Sequence, residues 1–237
     1  MLQVVKVRLY PNTEQKQSLE QSFGNCRWLW NYCLNLMNQT YIDTGYGLSG
    51  YEVQGLIPQL KKEYEWLSLA YSACLQQVCL NLGVAFNNVF ERRSKYPRFK
   101  SKHGRQSIQY PQNVKVFDNY LKIPKVGDVK AVIPRPIQGK LKTVTISKNC
   151  CDQYFASVLF DDGKEKPEAS TEGKAVGVDV GLTHFAITSD GSKCDNQRFL
   201  TKHEKNLKLK QQQLSRKQKG SNNLNKARKK LANLSSM

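Results

Sequence analysis

The sequence predicts an α+β fold of more than one domain, and three observations carry that prediction. Hydrophobic residues alternate at period two near the start of the chain and in six short runs between residues 106 and 160. Between these regions they recur every three to four residues, which is the helical period. After about residue 173 an apolar strand–turn–strand pattern gives way to a basic tail with helical spacing.

Each element has its own signal. Val5, Val7 and Leu9 alternate with Lys6, Arg8 and Tyr10, so 3–10 reads as a strand with one buried face. Pro11-Asn12 ends it. Asn12 with Gln15 three residues on resembles a capping box. Leu19, Phe23, Cys26, Trp30, Cys33 and Met37 then continue a long amphipathic helix over 13–40. Gly45, Gly47 and Gly50 break the chain before a shorter helix at 51–64. From Ser68 the series Leu75, Val78, Leu82, Ala85 and Val89 predicts a helix running to Arg93. Residues 12–94 thus form a helical module, and core packing is preferred over base stacking for at least two of Trp28, Trp30 and Tyr32.

Beyond Lys95 the runs 106–110, 113–117, 119–123, 128–134, 141–147 and 153–160 are punctuated by Pro and Gly. They suggest a small barrel or a sandwich, which the strand at 3–10 joins with the helices as an insertion. The polar stretch 161–173 reads as a linker. Residues 175–180 are an apolar run suited to a buried strand, and 183–189 is a second strand. Asp190-Gly191 is a hairpin signal, with a third strand near 196–200. In the tail, Leu207 and Leu214 are seven apart, as are Leu224 and Leu231, on either side of Gly220–Asn223. That predicts a basic helical hairpin, ordered in part only on a ligand.

The 237 residues carry 37 Lys plus Arg against 19 Asp plus Glu, a net charge of +18. Such a surplus points to a polyanion, nucleic acid before an anionic membrane. The charge is concentrated. Arg92, Arg93, Lys95, Arg98, Lys100, Lys102 and Arg105 give +7 with no acid between them. Residues 198–237 give +11 and include Arg216, Lys217, Lys219, Arg228, Lys229 and Lys230. The rest of the chain is neutral. No apolar run approaches the ~18 residues of a spanning helix. The seven cysteines show no C-x-x-C pair, so no zinc ligands are expected, and most are expected reduced and buried in a cytoplasmic protein.

Asp179 is the residue that suggests chemistry. It sits in GVDVGL, inside a run patterned for burial, where a carboxylate needs a cation, a metal or hydrogen-bond donors. Such an Asp occurs in RNase H-like nucleases as a metal ligand and in actin-like ATPases beside a phosphate-facing turn, and it is also compatible with a plain strand edge. Two-metal catalysis needs several carboxylates. Downstream of residue 175 the other acids are Asp190, Asp195 and Glu204, and none is patterned to join Asp179.

Four stretches together resemble the TnpB (OrfB) family encoded by insertion sequences. They are KVRLYPNTEQKQSLEQSFGNCRWLWNYCL, KYPRFKSKHGRQSIQYP, VGVDVGLTHFAITSDG and LSRKQKGSNNLNKARKKLANL. In the first, Tyr10, Pro11, Gln15, Gly24, Arg27 and Asn31 stand in the family's places. The resemblance implies an RNA-guided DNA nuclease associated with transposition, with a guide RNA and a target DNA as partners and no membrane. It implies a wedge-type β-barrel from 1–11 and 95–172, a helical recognition module at 12–94, and a partial RuvC-like α/β nuclease domain with a basic helical tail at 173–237. Asp179 would be the first catalytic carboxylate and a ligand of Mg2+. The two basic runs would hold nucleic acid. The family's second RuvC motif, zinc ribbon and third motif are expected after Met237, so the chain is expected to be the catalytically incomplete N-terminal portion of a longer nuclease. The alternative from another class is a non-catalytic nucleic-acid-binding module or repressor.

Overall fold

The computed structural model describes residues 1–165 and 175–235, so most of the predicted linker lies outside the described residues. The chain divides into two compact units, 1–165 and 166–237.

The first unit opens with β1 (Leu2–Tyr10) and α1 (Thr13–Thr44), followed by α2 (Gly50–Gly55), α3 (Ile57–Glu63) and α4 (Ser72–Phe90). Six strands complete it: β2 (Gln106–Tyr110), β3 (Lys115–Val116), β4 (Tyr120–Ile123), β5 (Gly127–Val132), β6 (Lys140–Lys148) and β7 (Tyr154–Asp161). Together with β1 they make a seven-stranded sheet in the order β2-β6-β7-β1-β5-β4-β3. Every pairing in it is antiparallel. The first strand of the chain lies inside the sheet. It pairs with β7 from Leu2↔Asp161 to Leu9↔Tyr154 and with β5 through Arg8↔Val132 to Tyr10↔Lys130.

Period-two alternation decides which face is buried. Val5, Val7 and Leu9 of β1 join Ala156, Val158 and Phe160 of β7, Val144 and Ile146 of β6, and Leu121 and Ile123 of β4 in one core. The same core takes in Leu19, Phe23, Cys26, Leu29 and Cys33 of α1 and Cys74, Leu75, Cys79 and Leu82 of α4. Helices and sheet therefore share a single apolar interior.

Helix α1 starts where the capping box places it. Asn12 Oδ1 accepts from the Gln15 amide at 2.8 Å, and Gln15 Oε1 accepts from the Asn12 amide at 3.0 Å. Gln15 Nε2 also donates to the Asp128 carbonyl at 2.8 Å, tying the helix start to β5. Such a cap is worth about 1 kcal/mol. The helix ends on Gly45 in the left-handed region at φ 75°.

Two helical boundaries depart from the sequence reading. The helix expected over 51–64 is two helices meeting at Leu56, with Pro58 in the first turn of α3, a position that needs no amide donor. The helix expected from Ser68 begins at Ser72, because 65–69 forms a 3-10 turn that buries Leu67. Trp28 sits in an aromatic cluster, 5.1 Å from Tyr32, 4.7 Å from Tyr64 and 5.0 Å from Trp66 between ring centroids.

The second unit has three strands, β8 (Val178–Asp179), β9 (His184–Thr188) and β10 (Lys193–Asp195), in the order β10-β9-β8. A hairpin of α5 (Phe199–Ser215) and α6 (Asn222–Ser235) follows. Asp190-Gly191 forms the β9–β10 turn, with Gly191 at φ 85° and Asp190 accepting from the Ser192 amide at 3.0 Å. The third strand lies at 193–195, not 196–200, because Asn196 closes the strand locally. Its side chain donates to the Leu182 carbonyl at 2.9 Å and accepts from the Arg198 amide at 3.0 Å.

The burial expected for 175–180 is overturned. Val178 is 59%, Val180 69% and Leu182 89% exposed, and Asp179 is exposed too. The run has a buried strand's composition, but β8 is a two-residue edge strand paired only with β9 among the described residues.

Candidate nucleic-acid interface

The segment joining α4 to β2 holds the first basic run, and helix α1 positions it. On α1, Arg27, Trp30, Asn31 and Asn38 recur at three, four and seven residues, so they share one face. That face meets the segment 96–106 through both its backbone and its side chains. Trp30 Nε1 donates to the Arg98 carbonyl at 3.0 Å. Asn31 Nδ2 donates to the Lys100 carbonyl at 2.9 Å, while its Oδ1 accepts from the Lys100 amide at 2.7 Å. The Tyr96 hydroxyl donates to Asn38 at 2.6 Å. Asn31 thus pairs with one residue of the segment as a strand neighbour would.

Gln106, the first residue of β2, gathers the other end. Its Nε2 donates to the carbonyls of Lys102 at 3.0 Å and Gly104 at 2.9 Å, and Arg27 Nη1 donates to its Oε1 at 2.9 Å. An irregular segment carrying seven cations is in this way strapped to α1 by the backbone of Arg98 and Lys100 and to Gln106 by that of Lys102 and Gly104. Its exposed side chains Arg98, Lys102 and Arg105 are left to solvent.

The cations of the strap differ in their surroundings. Lys100 Nζ lies 3.7 Å from the Trp30 ring centroid, a cation–π contact. Desolvation there lowers its pKa, and the nearby Cys26 thiol acts the other way. Arg93 pairs with Glu91. Arg92, at φ 57°, turns the chain off α4. Arg92, Arg93 and Lys95 are exposed.

Between the strap, α4 and β2 lies a cleft of about 450 Å³ whose polar lining includes Gln77, Asn81, Arg105, Gln106, Gln109 and Thr145. Gln77 donates to Asn81 at 2.9 Å, and Asn81 donates to Gln109 at 3.1 Å. Sequence reasoning singled out none of these amides, nor Trp30 and Asn31 as the strap's anchors. The one prior signal was the family placement of Arg27 and Asn31. The amides are divided between α4 and β2, and only the fold brings them together.

In the second unit, Arg216, Lys217 and Lys219 occupy the end of α5 and the turn after it, and Arg228, Lys229 and Lys230 lie along α6. All six are exposed. Leu207 and Leu214 of α5 and Leu224, Ala227 and Leu231 of α6 are the hairpin's more buried positions, as the seven-residue spacing requires.

Asp179 ends β8 opposite Ile187. Among the described residues of this unit, His184 Nδ1 lies 3.5 Å from Asp195 Oδ1. Among the described residues no group of three or more His, Cys, Asp or Glu is placed to hold a metal ion. The donors present therefore do not fit a two-metal centre, which needs several carboxylates around hard cations.

The described residues thus combine a backbone-clamped basic strap beside an amide-lined cleft with, in a separate unit, a basic helical hairpin. Residues 1–45 match a family model described as "Helix-turn-helix domain", and residues 157–237 match one described as "Probable transposase", both of the OrfB type from IS605 elements. Here residues 1–45 are a strand and one continuous helix. The chain is 34% identical over 234 residues to a "Putative RNA-guided DNA endonuclease" of Streptomyces pristinaespiralis, covering 96% of this chain and 58% of that protein. It is 30% identical over 239 residues to "Putative RNA-guided DNA endonuclease InsQ" of Escherichia coli, covering 99% and 59%. "Virulence protein VsdF" of Salmonella dublin is 34% identical over 116 residues, 44% of this chain and 98% of that one. The chain belongs to the OrfB (TnpB) transposase family. It spans about three fifths of the length of the two endonuclease-named relatives.

Proposed function

We propose that this chain is the nucleic-acid-holding portion of an RNA-guided DNA endonuclease of transposon origin, with a guide RNA and a target DNA as its partners in the cytoplasm. The observation that carries the reading is the strap. Its seven-cation segment is fixed to α1 through the backbone of Arg98 and Lys100, which presents exposed side chains to phosphates at little further entropic cost. The adjoining cleft supplies Gln77, Asn81 and Gln109, side chains able to read adenine and other base edges, so we assign it to the short DNA motif flanking the target. In this reading the seven-stranded sheet is the wedge-type barrel, 12–94 the recognition module, and β8–β10 the opening strands of a RuvC-like domain. No helix among the described residues is long and apolar enough to cross a membrane.

Asp179 is then the first nuclease carboxylate. Because the described residues bring no carboxylate cluster to it, the 237-residue chain is expected to bind and not to cut. The test is purification of the full chain with and without co-expressed transposon-end RNA, then a salt series of binding and a cleavage assay with Mg2+. Salt-sensitive RNA binding without cutting is expected. Robust Mg2+-dependent cutting abolished by Asp179→Ala would overturn the assignment of this chain as a holding portion, and RNA binding indifferent to salt would overturn the role of the strap.

A further inference from the structure

The α5–α6 hairpin contains a groove of about 410 Å³ lined by Lys210 and Gln213 of α5, by Lys217 in the turn after it, and by Asn223, Lys226, Ala227 and Lys230 of α6. Asn223, Lys226 and Lys230 are spaced by three and four residues and form one stripe of α6, facing Lys210 and Gln213, three apart on α5, and Lys217 in the turn after it. Four lysines and two amide side chains therefore line it, with no acid among them. Among the described residues, the hydrogen bond recorded for these lysine side chains is Lys210 Nζ to Gln213 at 3.5 Å, and none makes an ion pair.

Such an arrangement works against the hairpin that holds it. Like charges brought together across a helix pair are destabilising. The apolar seam opposing that repulsion is thin, with Leu224 as its buried member and Leu207, Leu214, Ala227 and Leu231 only half-buried. Surface lysines ordinarily fan apart on a solvated face, whereas these line one concavity. An anion in the groove would remove the repulsion and join the helices.

We propose that this groove is a phosphodiester clamp that grips consecutive phosphates of one nucleic-acid strand and thereby stabilises the hairpin. The inference rests on the reading of the chain as nucleic-acid-binding and goes further by assigning a backbone subsite to four residues. The stretch from Asn223 to Lys230 is about 10 Å of helix at ~1.5 Å per residue. A strand presents one phosphate per ~3.4 Å of helical axis, so the groove matches about three of them. Lysine is suited to this as a point charge that follows phosphates without reading bases. The groove therefore contributes affinity without sequence preference.

The experiment uses the full chain and RNA and DNA oligonucleotides of one sequence, each titrated across a salt series. Single-strand binding loses ~0.7 in log–log salt slope per phosphate released. The variant K210Q/K217Q/K226Q/K230Q is expected to lower the slope by about 2 for a strand seated on ~3 phosphates. The control K205Q/K208Q, at exposed positions of α5 outside the groove, is expected to leave the slope nearly unchanged. A second readout is amide exchange over 199–235, which is expected to slow on ligand addition in the wild-type chain and not in the quadruple variant. Equal slope losses in both variants, or exchange indifferent to ligand, would overturn the clamp while leaving nucleic-acid binding intact. A wild-type chain with no salt-dependent binding would overturn both readings. A larger effect on RNA than on DNA would assign the groove to the guide, and the reverse to the target strand.

Discussion

Asn31 carries more structure than its size suggests, because its amide makes both hydrogen bonds that a neighbouring strand would make to Lys100, at 2.7 and 2.9 Å. Asn31→Ala removes both at once. A net loss of about 1–3 kcal/mol in local stability follows from ~0.5–1.5 kcal/mol per bond. Faster amide exchange at Lys100 is the expected readout, together with RNA affinity reduced by roughly threefold to tenfold. Asn31→Asp keeps the acceptor for the Lys100 amide and should fall between the two; an Asn31→Ala chain that binds like wild type would remove the strap's positioning role. The amino terminus makes a similar clamp at the end of the β1–β7 pair. The Met1 ammonium donates to Asp162 at 2.7 Å and Asp161 at 3.1 Å. Hydrogen bonding to Asp162 first, then to Asp161, raises the amine's pKa above its ordinary 8.0, while the same amine lowers both carboxylates below 3.8. The raised amine contributes stability that is complete below pH 8.0 and is lost as pH rises through its folded value. The depressed carboxylates contribute stability that is complete above pH 3.8 and is lost as pH falls through theirs. Exchange of the Asp162 amide, which donates to the Met1 carbonyl at 3.1 Å, should therefore be best protected between those two pH values. Acetylation of the amine should remove that protection.

Among the elements, the crossing of α2 and α4 depends on two glycines. A Cβ built on Gly83 would stand 3.0 Å from both the Cα and the amide nitrogen of Gly50, which are backbone atoms with no rotamer to move. Gly83→Ala is expected to force the helices apart and cost about 1–3 kcal/mol, read as a lower urea midpoint. Gly47→Ala, with nothing within 4 Å, is the matched control and should stay within ~0.5 kcal/mol of wild type. If both substitutions behave alike, close approach does not hold the crossing. Elements of this kind were legible in the sequence in proportion to how local their cause is. The α1 start was readable from Asn12 and Gln15 because a capping box is complete within four residues. All six runs after residue 105 correspond to strands, since alternation records a buried face. The order β2-β6-β7-β1-β5-β4-β3 was not readable, because pairing partners as far apart as Leu2 and Asp161 leave no short-range mark. The break at Leu56 and the shift of β10 depended on turn chemistry around Pro58 and Asn196, which periodicity does not register.

For the whole molecule, the two concentrations of charge were legible, while the means of holding them was not. A run such as Arg92 to Arg105 declares its sign in the sequence, but its fixation depends on Trp30, Asn31 and Gln106, which are far from it in the chain or apparently ordinary. Asp179 shows the opposite error. Its apolar neighbours announced burial, and the structure leaves Val180 69% and Leu182 89% exposed around it, because composition states what a strand is suited to and not what covers it. This difference separates the two functions that the family joins. If affinity comes from phosphates meeting the strap and the hairpin, it should follow ionic strength and ignore the carboxylate. Asp179 is exposed, ends a two-residue edge strand, and belongs to no cluster of metal-binding groups among the described residues. Asp179→Ala should accordingly leave the thermal midpoint unchanged and the RNA affinity within about twofold of wild type. Raising salt from about 50 to 200 mM should weaken binding by ~10³-fold or more if six or more phosphates are engaged. Both are read from one fluorescence-anisotropy series on the full chain. A tenfold loss of affinity in Asp179→Ala at constant salt would place the carboxylate within the binding surface, and the separation of holding from cutting would fail.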